Sequence, residues 1–416
     1  MKLMPHQMQA LKLTQSLTKV AYYYDMGLGK TYIGSEKLAQ LHASYNLVVC
    51  QKSKLKDWYE HFKEHYPNYN IVLYKDQSIS DLPTNSIIII NYDSVWRRSE
   101  LLNLNKKKFT LLLDESQYIK NDNSNRGNFI LRKLKPTNVI LLSGTPIGGK
   151  YEELWSQCQL LGWYINKAEF WFRYIVTENI DVGLPYTIPV VIGYRNIDHL
   201  KAQLYKYGAR FLKSEEVLTL PEQVIIDVII DSIPEYKTFQ QSKIVSINNK
   251  VLVGETGLTQ LLYSRQLSGM YNKHKYEYLN ELLESTNDRV IIFYNFKEEF
   301  INLNNLISKL KKPISYVNGQ GTNLLNYDKN SNSVTLVQYQ SGSTGLNLQK
   351  SNKIIYFSPP LSADLWMQSA KRIHRIGQSN TCFYYYLISK NTVEKPIIDR
   401  LKLREDYTLA LFEKVS

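Results

Sequence analysis

Three short stretches hold residue types whose spacing could do chemistry. Tyr24-Asp25-Met26-Gly27-Leu28-Gly29-Lys30-Thr31 follows an apolar run and opens a helical pattern. Glycines placed there let backbone N–H groups curl round phosphate oxygens at the positive end of a helix. Lys30 would then reach the β- and γ-phosphates of a nucleotide, and the Thr31 hydroxyl would ligate Mg2+. Tyr24 stands where the general phosphate-loop pattern has its first Gly, so a Gly-rich turn followed by a chance Lys-Thr has the same spelling. In the second stretch, Leu111–Leu113 runs into Asp114 and Glu115. Two carboxylates ending a buried strand lie at the carboxyl edge of a sheet, where ligands bind in open α/β folds. Asp114 would hold Mg2+ through water, and Glu115 would orient and deprotonate an attacking water. A solvated acidic turn reads the same way, and a kinase-type phosphoryl transferase would use the same pair. In the third, Gln368, Arg372 and Arg375 are spaced i, i+4, i+7 and share one side of a helix if the stretch is helical.

The elements that must position these residues are legible as alternation. Short apolar runs predict strands at Val20–Tyr24, Leu47–Cys50, Ile87–Asn91, Thr110–Leu113 and Val139–Leu142, and later at Val290–Tyr294, Val334–Gln338, Lys353–Phe357 and Cys382–Ile388. Helical patterns fall between them, among others at Lys30–His42, Leu55–His65, Phe296–Leu310 and Leu365–His374. Strands alternating with helices imply an α/β class with mainly parallel sheets. The rhythm breaks in the middle, where helical patterns dominate. The expected division is a first lobe at 1–160, a helical insertion and linker at 161–270, and a second lobe at 271–416.

Composition narrows the field. A chain of 416 residues with 44% hydrophobic and 21% charged residues is a globular one, not a disordered one. No run approaches the roughly 18 apolar residues of a membrane span, and the first residues carry no apolar signal core. Cys50, Cys158 and Cys382 are too scattered for a disulfide framework or a zinc site, which suits a reducing cytoplasm. The net charge of +13 favours a polyanionic partner such as nucleic acid.

Taken together the stretches resemble a known family. Asp25–Thr31 (DMGLGKT), Asp114–Gln117 (DESQ), Leu142–Pro146 (LSGTP) and Gln368–Gln378 (QSAKRIHRIGQ) are similar to the motifs of superfamily-two helicase motors. DMGLGKT with RIHRIGQ resembles the Swi/Snf branch of DNA translocases, and the resemblance runs from Pro5-His6-Gln7 to Gln378. It implies two RecA-like lobes, with ATP in the cleft between them and duplex DNA across both. Gln7 matches the glutamine that recognises adenine, an amide offering both donor and acceptor. Ser143-Gly144-Thr145 matches the motif that links nucleotide state to lobe movement. Gln117 stands where the family commonly has His, and is expected to join that coupling through the γ-phosphate or Thr145. Arg372 and Arg375 resemble the arginine fingers that meet negative charge on the γ-phosphate in the transition state, with Gln368 beside them at the nucleotide. His374 is expected to be structural. Gly342–Leu348 resembles the lobe-two motif that touches DNA phosphate and nucleotide, with Gly345 allowing close approach and Ser343 and Thr344 on the phosphate.

Two further groups match DNA-backbone motifs of the first lobe. One is Lys52-Ser53-Lys54; the other is Asn91–Ser94 with Trp96, in which Tyr92, Arg97 and Arg98 would make the contacts. By residue type alone both are solvated basic loops. Tyr207–Lys213, followed by Leu220-Pro221-Glu222, resembles the stretch leading into lobe two; the family commonly has two adjacent Arg there, and here Arg210 is followed by Phe211. The expectation is a monomeric, cytoplasmic, DNA-stimulated ATPase using ATP and Mg2+ and tracking duplex or branched DNA, with protein partners left open. Its size and AT-rich composition suit a bacteriophage, in replication, recombination or repair. The alternatives are a strand-separating helicase, which needs a wedge, and a DNA-binding module with a vestigial nucleotide site.

Overall fold

Strands covered on both faces are written as continuous apolar runs, and the fold is built on such runs. The computed structural model describes residues 3–75, 77–181, 187–342 and 346–412. It divides the chain into two units, residues 1–217 with 406–416 and residues 218–405.

The strands of unit 1 are β1 (Lys19–Tyr24), β2 (Tyr45–Cys50), β3 (Asn70–Leu73), β4 (Ser86–Asn91), β5 (Phe109–Asp114) and β6 (Asn138–Ser143), then a hairpin of β7 (Ile175–Ile180) and β8 (Ile188–Tyr194), then β9 (Ala209–Leu212). Seven of them make one sheet in the order β3-β4-β2-β5-β6-β1-β9, every pair parallel. Helix α1 (Pro5–Leu13) starts with Pro at its first position, where the missing N–H costs nothing and φ is already helical. Helix α2 (Lys30–Gln40) opens directly after Gly29, whose φ of +70° a glycine adopts without strain. Helix α3 (Leu55–His65) buries Trp58 and Phe62 along one face.

Unit 2 repeats the scheme. Strands β10 (Gln223–Ile230), β11 (Ile244–Ile247), β12 (Lys250–Val253), β13 (Val290–Tyr294), β14 (Ile314–Asn318), β15 (Gly321–Asn323), β16 (Val334–Gln338), β17 (Lys353–Tyr356) and β18 (Cys382–Ser389) follow in order. The sheet runs β10-β18-β17-β13-β16-β14-β15, parallel except for the last pair, and β11 and β12 form a hairpin. Stacked aromatics fill one side, Tyr356 lying 4.6 Å from Tyr386 and 5.2 Å from Trp366. A fully buried ion pair ties the unit together: Lys275 Nζ donates to both oxygens of Glu394 at 2.7 and 2.8 Å and to the Phe357 carbonyl at 2.8 Å. No helix among the described residues is long and apolar enough to cross a membrane.

The expected strands are all present, and the class is the expected one: two mainly parallel sheets flanked by helices. The middle of the chain differs. Residues 161–270 do not form a separate helical insertion: those up to 217 belong to unit 1, and the rest to unit 2. Among the described residues they carry six strands besides helices, and Ala209–Leu212 is an edge strand. Its register against β1, Ala21 opposite Ala209 and Tyr24 opposite Leu212, outweighs local helical pattern. The helix Glu394–Phe412 passes its last residues to unit 1, where Leu411 and Phe412 are buried in the core.

Candidate nucleotide-binding site

Because β4, β2, β5, β6 and β1 are neighbours in that order and all parallel, the loops at their carboxyl ends form a row. The row holds, in turn, Tyr92–Arg98, Lys52–Lys54, Asp114-Glu115, Ser143–Thr145 and the glycine loop ending at Lys30. Residues far apart in sequence thus meet at one edge.

The glycine loop turns through Gly27 at φ +86° and Gly29 at φ +70°. Lys30 Nζ lies across it, donating to the Tyr24 carbonyl at 2.9 Å and the Asp25 carbonyl at 3.3 Å. Space at Gly144 is tight, since a Cβ there would sit 3.2 Å from both Lys30 Nζ and Met26 Cγ. Thr31, in the first turn of α2, is half-buried. Gln7 is buried against the loop: its Nε2 donates to the carbonyls of Leu28 (3.2 Å) and Gly29 (3.1 Å), and its Oε1 accepts from the Met4 N–H (2.8 Å). A Cβ on Gly29 would fall 2.3 Å from that Nε2. Both amide protons therefore hold the loop, so Gln7 donates to an adenine only by giving up one of these bonds, whereas Oε1 keeps a second lone pair with which to accept. The far side of the loop is held by Ser214, which donates to Asp25 Oδ2 at 2.7 Å. Sequence reasoning missed Ser214, and no local signal marks a serine that acts 189 residues away.

The acidic box is more tightly built. Asp114 Oδ2 accepts from the Trp58 indole at 2.8 Å. Burial raises the Asp114 carboxyl to about 6, with the Glu115 charge adding; the Trp58 hydrogen bond and the Lys30 and Lys54 ammonium groups pull it down. Glu115 sits at φ +56°, a left-handed conformation that costs a non-glycine residue energy and that clusters at functional sites. Its Oε2 accepts from Gln117 Nε2 at 2.9 Å, Gln117 Oε1 accepts from Ser143 Oγ at 2.7 Å, and Ser143 Oγ in turn accepts from the Thr145 N–H at 3.0 Å. The three residues expected to couple are thus joined to Glu115 in one chain, by way of Ser143 and not the Thr145 side chain. The Thr145 hydroxyl is buried without a hydrogen-bond partner.

The basic loops divide. Lys52, Ser53 and Arg97 are exposed, Lys54 pairs with Asp57 at 2.7 Å, Arg97 lies over the Trp96 ring, and Arg98 donates to the Lys75 carbonyl at 2.7 Å. Tyr92 is not available to DNA. It is 2% exposed, stacked on Tyr118, and its hydroxyl donates to the Asp114 carbonyl at 2.9 Å. It follows Asn91, whose side chain caps the next turn and directs Tyr92 inward.

In unit 2, Gln368 is buried near the end of the helix Ala363–Ala370. That helix stops before Arg372 and Arg375, so the three residues do not share a helix face as their spacing predicted. The following backbone is taken elsewhere: the Arg372 carbonyl accepts from the Leu348 N–H at 3.2 Å, and Gln378 Nε2 bonds the Gln349, Ser351 and Ile373 carbonyls. The two guanidinium groups still converge, Arg372 and Arg375 each placing Nη1 within 3.5 Å of the Leu346 carbonyl. His374 Nε2 lies 2.8 Å from the Pro221 carbonyl, a structural contact. Ser343, Thr344 and Gly345 lie outside the described residues.

Comparisons with known proteins give the family. Residues 17–276 match the SNF2-related domain and residues 274–377 the helicase conserved C-terminal domain. A SWI/SNF-related matrix-associated actin-dependent regulator of chromatin subfamily A-like protein 1 from Xenopus laevis is 26% identical over 89% of this chain and 40% of its own length. An uncharacterised ATP-dependent helicase of Mycoplasma genitalium is 23% identical over 90% of this chain and 38% of its own. The Sulfolobus solfataricus SWI2/SNF2 ATPase core, solved in complex with dsDNA, aligns over 98% of this chain and 92% of that one, at 21% identity and a TM-score of 0.45. The fold and site define a two-unit, helicase-like ATPase core. The chain belongs to the SNF2-related family, and it spans about two-fifths of the length of the first two relatives named.

Proposed function

We propose that this chain hydrolyses ATP to ADP and phosphate while tracking duplex DNA as a translocase. The observation that carries the reading is the row of loops in unit 1. It sets a phosphate loop, a carboxylate pair with its hydrogen-bonded link to Ser143, and two basic loops along one sheet edge. Backbone N–H groups at the start of α2 and Lys30 suit the phosphates. Glu115, held by Gln117, suits a base that orients and deprotonates water. Thr31 and Asp114 are the hard oxygen donors that Mg2+ takes, and a carboxyl raised by burial gains from a cation beside it. Bound there, Mg2+ would neutralise phosphate charge. Arg372 and Arg375 would add positive charge at the γ-phosphate. Lys52, Ser53, Lys54, Arg97 and Arg98 would hold the sugar–phosphate backbone without reading its sequence.

The test is the ATPase rate with no DNA, single-stranded, duplex and branched DNA at two salt concentrations. Duplex or branched DNA is expected to stimulate most, with apparent affinity falling steeply as salt rises. Equal stimulation by single strands, with unwinding of a forked substrate, would make the chain a strand-separating helicase. DNA binding without any hydrolysis would make it a binding module.

A further inference from the structure

Trp58 stands at a junction that the nucleotide-site reading leaves unused. It is 2% exposed, and its ring is held by Phe62 stacked at 5.4 Å and by the edge of His61 at 6.0 Å. An indole has one polar hydrogen and no acceptor, so a buried indole offers one bond in one direction. Here that bond goes to Asp114 Oδ2 at 2.8 Å. The helix carrying it, α3, begins at Leu55, directly after the basic turn Lys52–Lys54. Lys54 pairs with Asp57 across the same start, so turn and helix are joined by an ion pair as well as by the chain. One turn further on, His61 Nε2 meets Ser35 Oγ at 2.8 Å on α2, the helix that begins with Lys30. A single helix therefore connects the basic turn, the carboxylate at the end of β5 and the helix of the phosphate loop.

We infer that Trp58 is a positioning residue: it fixes the Asp114 carboxylate for Mg2+ and ties that carboxylate to the basic turn, so that a polyanion seated on Lys52–Lys54 changes the metal requirement of the nucleotide site. The inference rests on the nucleotide-site reading above. A bland account also exists, in which Trp58 is a core residue whose N–H needed some acceptor. The two differ in what removal of the N–H does. A hydrogen-bonded group behind a metal ligand is worth roughly 10- to 100-fold in metal affinity, whereas a core role leaves the metal requirement untouched.

The experiment measures binding of a fluorescent ATP analogue to the full chain against Mg2+ concentration, with and without duplex DNA. Wild type and Trp58→Phe are compared, the variant keeping an aromatic ring against Phe62. In wild type, DNA is expected to lower the half-saturating Mg2+. In Trp58→Phe that value should rise roughly tenfold and no longer respond to DNA, although the variant still binds DNA. The same Mg2+ dependence in both proteins, or a DNA response of the same size, would overturn the inference. A wild-type chain that binds no nucleotide at any Mg2+ concentration overturns the nucleotide-site reading itself. Should Trp58→Phe not fold, the wild-type chain carries the test through its six tryptophan indole N–H resonances. The resonance displaced by Asp114→Asn must be one that moves when Mg2+ and ATP are added, and again when DNA is added; a resonance that stays put sinks the assignment.

Discussion

A carboxylate can direct a water molecule only while it is itself held in place, and at Glu115 the holding is done by Gln117. The amide spans Glu115 and Ser143, so any shift at the end of β6 is felt at the base. We expect Glu115→Gln to bind ATP as wild type does and to release phosphate about 10²- to 10⁴-fold more slowly, the range for loss of a general base; equilibrium binding and a phosphate-release assay separate the two. These residues were legible from the chain as an apolar run ending in two carboxylates, a string that a solvated acidic turn shares and that the phosphate loop upstream made specific. The partners were not: Gln117 could have met Thr145 as easily as Ser143, and only the approach of β5 to β6 settles it. Tyr92 shows the same limit from the other side. Next to Arg97 and Arg98 it has the look of a surface residue, yet the capped turn at Asn91 sends it into the core. Replacing it with Phe should leave DNA affinity unchanged and lower stability by about 1 kcal/mol, one hydrogen bond's worth, read from DNA titration and denaturant unfolding.

At the scale of elements, α3 is the informative case. Its limits were predicted correctly, because Trp58 and Phe62 sit four apart on one face of a well-formed pattern. Its contact with α2 was not predicted, and it gives a pH signature. Burial, helped by the charge of His65, lowers His61 to about 4 from an ordinary value near 6.5. The unfolded chain thus binds more protons than the folded one between those values, so the stability from neutral His61 is present above pH 6.5 and is lost as pH falls toward 4. Thermal unfolding of wild type and His61→Gln should therefore converge on acidification through that window; a constant gap would count against the assignment. The helix Ala363–Ala370 shows why element ends resist prediction. The spacing of Gln368, Arg372 and Arg375 is helical, but backbone and side-chain bonds to residues 348–351 draw the chain out of the helix after Ala370, and those partners lie more than 20 residues away.

At the scale of the molecule, each unit depends on long-range pairings. Unit 2 encloses Lys275 and Glu394 at 0% and 1% exposure. Lys275→Met would strand a buried carboxylate and cost about 3–5 kcal/mol; denaturant unfolding should show that loss, with much of it recovered when Glu394→Leu is added, since an apolar pair of similar volume removes the unpaired charge. What the amino-acid sequence determined unaided was the set of chemical groups and the class of fold. Phosphate loop, acidic box and arginine pair are local strings, and a strand buried on both faces writes itself as an unbroken apolar run. The tertiary structure alone decided which strands are neighbours. Only then do the basic loops line up beside Asp114, Ser214 reach Asp25, Trp58 reach Asp114, and residues 161–270 divide between two units. The reason is physical: β1 with β9 and β10 with β18 pair across long separations. The free energy of such contacts comes from burial and register in the assembled sheet, which no local pattern of residue types encodes.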